Sequence, residues 1–344
     1  MAEICSQIDW NDVDSPEITN NLEMIFQSLM NGTLGEELLD DNMIFVQKLS
    51  QLLQTCIQSP QQQKRSNLVM ALSTAVVMGD RFRGIVFDRW LSRKALESWL
   101  IPCIRLRDDP EVPFYALSLL NMILDTPIHE KRFEPLNHEL VCYLLDLTVD
   151  IEYDLDQHNL FLEGMKSLAG IYDTLDEMAA SQLRSKTRGR DVILGNARAK
   201  ANAGEDNPVI YQIHHHPSAV EFGQNFIKLL NRGMDSRTTR RTLKLMSEIL
   251  RDDKLSMSFF YWNDLKVLID ILMRDFDNFD EGAENDELRL LCLRVLGLVL
   301  KNTEYSTQEV PHRPEDIRQF LKRISESDMS ESITIEAQEI FSSF

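Results

Sequence analysis

The sequence predicts an all-α fold in which helices stack as a repeat array, an α-solenoid, with one long loop insertion. Three observations predict it. Apolar residues recur at the 3.6-residue helical spacing through most of the chain. Only 11 Pro and 13 Gly occur in 344 residues, as a mostly helical chain requires. The predicted helices pair or triple at intervals of about 40 residues, the period of armadillo and HEAT repeats. No consensus residues recur between units, so on pattern alone a globular helical bundle is the rival.

The elements follow in order. Residues 1–15 read as an irregular lead, and 16–344 as a single armadillo-like domain. Ser15-Pro16-Glu17 starts a helix: Ser at the cap, Pro at the first position, an acid near the positive end. Helices are expected over 17–31, 36–58 and 62–78. The stretch Leu68–Met78 is nearly all apolar and belongs at a centre. Helices over 81–90 and 92–107 come next, the second capped by Ser92. Asp109-Pro110-Glu111 opens another, to about Asp125, and 136–151 and 155–179 complete the first half. Pro217 begins a helix to about Met234, and 236–251 follows. Its Arg237, Arg240, Arg241 and Lys244 are expected to form a charged outer face.

Residues 259–305 are two helices and an acidic turn. Leu265, Leu268, Ile269, Leu272, Met273 and Phe276 make one apolar face, and Leu288, Leu291, Cys292, Val295, Leu296 and Val299 repeat its spacing. Each helix has a second apolar row: Val267 and Ile271 in one, Leu290, Leu293 and Leu300 in the other. A helix apolar on two sides must be covered on two sides, so this hairpin is expected between layers. Asn263 or Asp264 is the expected cap of the first helix, and Lys301 ends the second. Polar residues form narrow stripes: Lys266, Asp270, Arg274 and Asp277 on one helix, Glu287, Arg294 and Lys301 on the other. Arg313-Pro314-Glu315-Asp316 then starts a helix with Ile317, Phe320, Leu321 and Ile324 inward. A last helix near 331–342 is expected to cap the stack.

Residues 181–216 break the helical period. Arg184, Lys186, Arg188, Arg190, Arg198 and Lys200 face one acid, Asp191, before Glu205. The stretch reads as a mobile loop or as a basic arm toward an acidic partner surface. His214-His215-His216 reads as loop, because three adjacent imidazoles in regular structure cannot all face one ion. No metal site is expected. The acids of 275–287 lack the order and glycine of an EF-hand loop and read as a solvated linker.

The net charge of -19 argues against a nucleic-acid or anionic-membrane binder, since both need a basic surface. The five cysteines are odd in number, widely spaced and without a CxxC pair, which suits a reducing compartment and no structural zinc. The acidic start MAEICSQIDWNDVD has no apolar run, and no signal peptide is expected. No stretch reaches the 18 apolar residues of a membrane span, and the expectation is a soluble cytosolic protein. Phosphate-loop, nucleophile-elbow and HExxH motifs do not occur, so neither enzyme activity nor a cofactor is expected.

The strings YWNDLKVLIDILMRD, ELRLLCLRVLGLVLKNTEY and HRPEDIRQFLKRI resemble the leucine-rich domain of the Dip/WISH family, Nck-interacting SH3-partner proteins of the actin cortex. The resemblance is specific over 255–325 and looser over 60–175. It implies an armadillo-like domain that binds the Arp2/3 complex and activates it without a preformed mother filament. The implied product is a linear actin filament that seeds branched networks at cortical and endocytic patches. Actin itself is a further implied partner. Asp9-Trp10-Asn11-Asp12 is similar to the acidic tail of Wiskott–Aldrich-type activators, but the reading favoured by its chemistry is a Trp tucking the N-terminus onto the first helices. The SH3 domain and Pro-rich segments of longer relatives do not occur, so the short form is expected. The residues expected to hold the partner are Lys266, Asp270, Arg274, Arg294, Lys301, Asn302 and Tyr305, with Arg184, Lys186, Arg188 and Arg190 as a secondary basic arm. The alternatives are an inert armadillo-like adaptor for peptides and a helical enzyme of unassigned type.

Overall fold

The computed structural model describes residues 10, 12, 15–34, 44–58, 62–82, 93–126, 133–151, 154, 156–187, 207–280 and 282–344. Among them every regular segment is helical. The chain forms two compact units, one of residues 1–143 and 153–167, the other of 144–152 and 168–344.

In the first unit, α1 (Pro16–Met30) buries Ile18, Leu22, Ile25 and Leu29 on one face. Ser15 caps it as expected, its Oγ accepting from the Glu17 N–H at 3.2 Å. α2 is Ile44–Ile57 and α3 is Gln62–Arg81. α1 and α2 both pack on α3, whose Ala71 and Ala75 allow close approach beside buried Leu68, Leu72 and Met78. Trp10 meets the Phe45 ring edge-on at 5.7 Å between centroids, the tuck expected of it. Of the helix expected over 81–90, Arg81 ends α3 and Phe82 is in a turn, and 83–90 lie outside the described residues.

The helix expected over 92–107 is interrupted. α4 (Arg93–Ala95) passes into a π-helical turn, Leu96–Leu100, and then α5 (Ile101–Ile104). Pro102 explains the change of register, because it has no N–H to give to the carbonyl four residues back and its ring crowds that carbonyl. α6 (Glu111–Leu124) packs on α3 and α5. α7 (His138–Asp150) and α8 (His158–Thr187) follow, contributing residues from Leu144 and from Leu168 onward to the second unit.

The second unit continues with α9 (Pro208–His215), α10 (Ala219–Leu230), α11 (Ser236–Arg251) and α12 (Asp253–Ser256). Then come α13 (Trp262–Asn278), α14 (Ala283–Asn302), a 3-10 turn (Glu304–Thr307), α15 (Pro314–Ser325) and α16 (Glu331–Ser343). α14 is the inner helix: α11, α12, α13 and α16 all pack on it. The two-sided apolar pattern of 288–300 therefore does what it predicts. Val267 departs from the pattern and is 45% exposed, while its partner in the row, Ile271, is buried.

Two local devices hold the hairpin. The expected cap residues do not cap α13: Tyr261 is at the cap position without a side-chain bond, and Asp264 lies inside the first turn. There burial raises the Asp264 carboxyl above its usual range, and Oδ2 has no partner. At the other end, buried Arg289 of α14 donates to the carbonyls of Phe276 and Phe279 and to Asp286, closing the orphan carbonyls of α13. Gly297 lets α16 lie close on α14: a Cβ there would meet Ile340 Cγ1 at 2.9 Å and Cδ1 at 3.0 Å. The obstacle is a side chain that can turn, and alanine favours helix over glycine by about 1 kcal/mol. Gly297→Ala is therefore expected to change stability by less than about 1 kcal/mol, and Gly297→Leu to loosen α16, in chemical denaturation.

The insertion expected over 181–216 is narrower. α8 continues to Thr187, and Pro208–His215 is helical, so the histidine run ends a helix instead of lying in a loop. Asn207 caps that helix through a 3.0 Å bond from Val209 N–H, with Pro208 at the first position. The three rings take three different partners. His214 Nε2 lies 3.2 Å from Asp252, His215 Nδ1 is 2.7 Å from the Tyr211 carbonyl, and His216 Nε2 is 3.1 Å from Asp146.

Candidate functional site

The polar stripe of α13 is directed along one face but is tied to its neighbours. Lys266 bonds Asn263 at 3.1 Å and lies over the Trp262 ring. Asp270 accepts from Arg313 Nη1 at 2.8 Å and lies 3.1 Å from His312 Nε2. Arg274 donates to Asp275 and to Asn231, both at 2.8 Å, and Asp277 pairs with Arg323 at 2.7 Å. Arg313 is held at φ 49, left-handed backbone that a side chain rarely adopts. Its bonds to Asp316 at 2.7 Å and to Asp270 keep it there.

Of the other expected site residues, Arg294 is exposed on α14 and pairs with Glu336 of α16 at 3.2 Å, and Lys301 is exposed at the end of α14. Asn302 donates to the Leu250 carbonyl at 2.9 Å and serves the α11–α14 packing. Tyr305 is buried between Trp262 and Phe344, its hydroxyl donating to the His312 carbonyl at 3.0 Å, and burial pushes its phenol up to about 12. The structure thus brings Lys266, Asp270 and Tyr305 together around Trp262 and His312. Arg294 stands apart on the side facing α16. Of the basic arm, Arg184 is exposed on α8 and Lys186 lies in that helix, while Arg188 and Arg190 lie outside the described residues.

A second constellation was not legible as such. Asp173 of α8 has a side chain 2% exposed, and three cations of α11 converge on it. Lys244 Nζ is at 2.8 Å, Arg241 Nε at 3.3 Å and Arg240 Nη2 at 3.4 Å. Arg240 also reaches Glu177 and Glu287, and Lys244 reaches Glu177. The patch expected as an outer charged face is therefore largely an inward ion cluster. Its spacing carried the signal: positions 240, 241 and 244 share one helical face. What the sequence withheld was the acid opposite, the first of three acids, Asp173, Asp176 and Glu177, after the apolar run of α8.

Beside this cluster lies a cleft of about 210 Å³. Tyr172 and Asp176 of α8, Lys244, Ser247, Glu248 and Arg251 of α11, Glu287, Leu290, Leu291 and Arg294 of α14, and Asn207 line it. Burial raises the Tyr172 phenol, so it stays neutral. Ser247 is buried, and its hydroxyl has no hydrogen-bond partner. Cys103 and Cys292 are buried free thiols that burial likewise pushes up, which suits small core hydrophobes.

Residues 182–317 match the family described as SPIN90/Ldb17, leucine-rich domain. Protein LDB17 of Eremothecium gossypii is 30% identical over 127 residues, 37% of this chain and 27% of that protein. Protein LDB17 of Saccharomyces cerevisiae is 38% identical over 109 residues, 31% of this chain and 21% of that one. The match spans well under a third of either relative. It begins far earlier than the 255–325 stretch on which the sequence resemblance rested, and takes in α9 through the start of α15. Residues 182–317, which contain the α13–α14 hairpin, are thus similar to the SPIN90/Ldb17 leucine-rich domain, in line with the Dip/WISH resemblance read from the sequence.

Proposed function

We propose that the chain binds the Arp2/3 complex and activates it without a preformed mother filament, nucleating linear actin filaments that seed branched networks. The observation that carries this reading is the family match over the hairpin, joined to an inner α14 that is packed on several sides. On this reading the helices form an armadillo-like stack, a single domain after an irregular lead, whose concave side grips a helix of the complex. The contacted parts are its small structural subunits and an actin-related subunit. Activation then follows from differential affinity: the stack binds the filament-like arrangement of the two actin-related subunits better than the inactive one. The protein acts in the cytoplasm, at cortical and endocytic actin patches, and catalyses no covalent step. Among the described residues no helix is long and apolar enough to cross a membrane.

The binding face is the exposed edge of α13, Lys266, Asp270 and Arg274, and Arg294 and Lys301 of α14 make a second, separate point of contact. Tyr305 and Asn302 hold that edge in place from beneath. Arg184, Lys186, Arg188 and Arg190 form the basic arm toward actin. Reversing charge at Lys266 and Arg274 together is expected to weaken pull-down of the complex by about tenfold while leaving the far-UV circular dichroism unchanged. Unaltered capture would move the binding face elsewhere. Replacing the four arm residues with Ser is expected to slow pyrene-actin nucleation, and an unchanged rate would remove the arm from the mechanism.

A further inference from the structure

We infer that loop 308–313 is a preformed contact element of the partner-binding face, with Val310 as its apolar anchor and Asp270 as the residue that positions it. The inference rests on the proposed binding of the Arp2/3 complex and states which side chains of that face reach the partner and what they meet there.

The loop runs from the 3-10 turn to Arg313, which holds the cap position of α15. Arg313 has φ 49 and ψ 45, and among the described residues no other non-glycine residue has a positive φ. Proline also pushes the residue before it toward extended backbone, so a left-handed Arg313 before Pro314 is disfavoured on two counts. Such strain persists only where the surroundings over-determine it, and it gathers where a protein must hold a particular shape for a partner.

The surroundings do so here. Arg313 donates to Asp270 at 2.8 Å and to Asp316 at 2.7 Å. His312 Nε2 lies 3.1 Å from the same Asp270 carboxylate. Tyr305 donates to the His312 carbonyl at 3.0 Å, and Gln308 to Glu304 at 2.9 Å. The Asp270 carboxylate is thus taken up within the chain. It serves the binding face by holding the loop and not by touching the partner.

What these bonds hold faces outward. Val310 is 83% exposed, more than any other large apolar side chain among the described residues. Val267 lies three residues before Asp270, on the same face of α13, and is 45% exposed. The pinned end of the loop therefore stands between two outward valines. A valine kept outward by a fixed loop can enter a partner without the ordering cost that a free loop would bring. Beside it, Glu309 is exposed and, among the described residues, pairs with no cation. The surface that meets the loop is accordingly an apolar pocket with a basic group at its rim.

The test titrates the purified Arp2/3 complex with the fluorescently labelled full chain and records melting temperatures alongside. Val310→Ser is expected to weaken binding about tenfold, the effect of losing an apolar anchor, with an unchanged melting temperature. Glu309→Gln is expected to weaken it about threefold and to reduce its salt dependence. Asp270→Ala should weaken binding about tenfold in the parent and no further in the Val310→Ser chain, because it acts through the loop. If Asp270→Ala lowers the melting temperature, the two loop variants still carry the test. Parental affinity in Val310→Ser or in Glu309→Gln would overturn the inference, as would full additivity of Asp270→Ala with Val310→Ser. A parent chain that does not bind removes the Arp2/3 reading and this inference with it. A parent that binds, with both loop variants unaffected, removes the inference alone.

Discussion

Asp173→Ala is expected to lower stability by about 3–5 kcal/mol, the cost of removing one partner from a buried ion cluster. The substitution deletes the one carboxylate that Lys244, Arg240 and Arg241 share. Arg240 and Lys244 still reach Glu177, and Arg241, whose side chain is 11% exposed, loses its bond to Asp173. The loss should appear as a fall of about 10 °C in melting temperature. Glu177→Ala is the control, since its side chain is 45% exposed and its contacts to Arg240 and Lys244 are 3.9 and 3.6 Å. It should cost no more than about 1 kcal/mol. A melting temperature for Asp173→Ala equal to that of Glu177→Ala would mean that the three cations reach solvent on their own.

The second large effect belongs to Gly223→Ala. A Cβ at Gly223 would sit 2.4 Å from the Phe259 carbonyl oxygen and 3.2 Å from its ring. The obstacle is backbone, so the α12–α13 connection must move as a unit, unlike the side chain that faces Gly297. Overpacking of this kind costs about 1–3 kcal/mol and occasionally more, against a helix-propensity gain of about 1 kcal/mol. A net loss of about 2 kcal/mol is expected in urea denaturation. Stability equal to or above that of the parent would show that α10 and the Phe259 turn are not in close contact in solution.

Helix positions were legible because their apolar rows are long and their starts are marked. Ser15-Pro16-Glu17 and Arg313-Pro314 both open helices where the sequence places them. The inner position of α14 was legible as well, since a helix greasy on two sides has no stable place at a surface. Three features were not. The π turn before Pro102 depends on which carbonyl the missing N–H would have reached, a matter of register that propensity does not encode. The inward Arg240, Arg241 and Lys244 read as solvated because a cation's partner, here Asp173, lies 67 to 71 residues away along the chain. Arg289 stands out in no sequence pattern, yet its guanidinium closes the end of α13. In each case the deciding contact is long-range or geometric, and periodicity is silent about both. Asn302 and Tyr305 illustrate the converse, being polar groups near the expected edge whose bonds point into the fold.

Single-filament microscopy tests the functional account most directly. The purified chain is mixed with Arp2/3 complex and actin monomers, with no preformed filaments, and growth is watched filament by filament. The account predicts linear filaments, each with one end capped, in numbers that rise with the chain's concentration and fall when Lys266 and Arg274 are reversed. Filaments that appear only as branches on added seeds, or no increase over actin and complex alone, would contradict it and leave a helical scaffold that holds its partner without activating it.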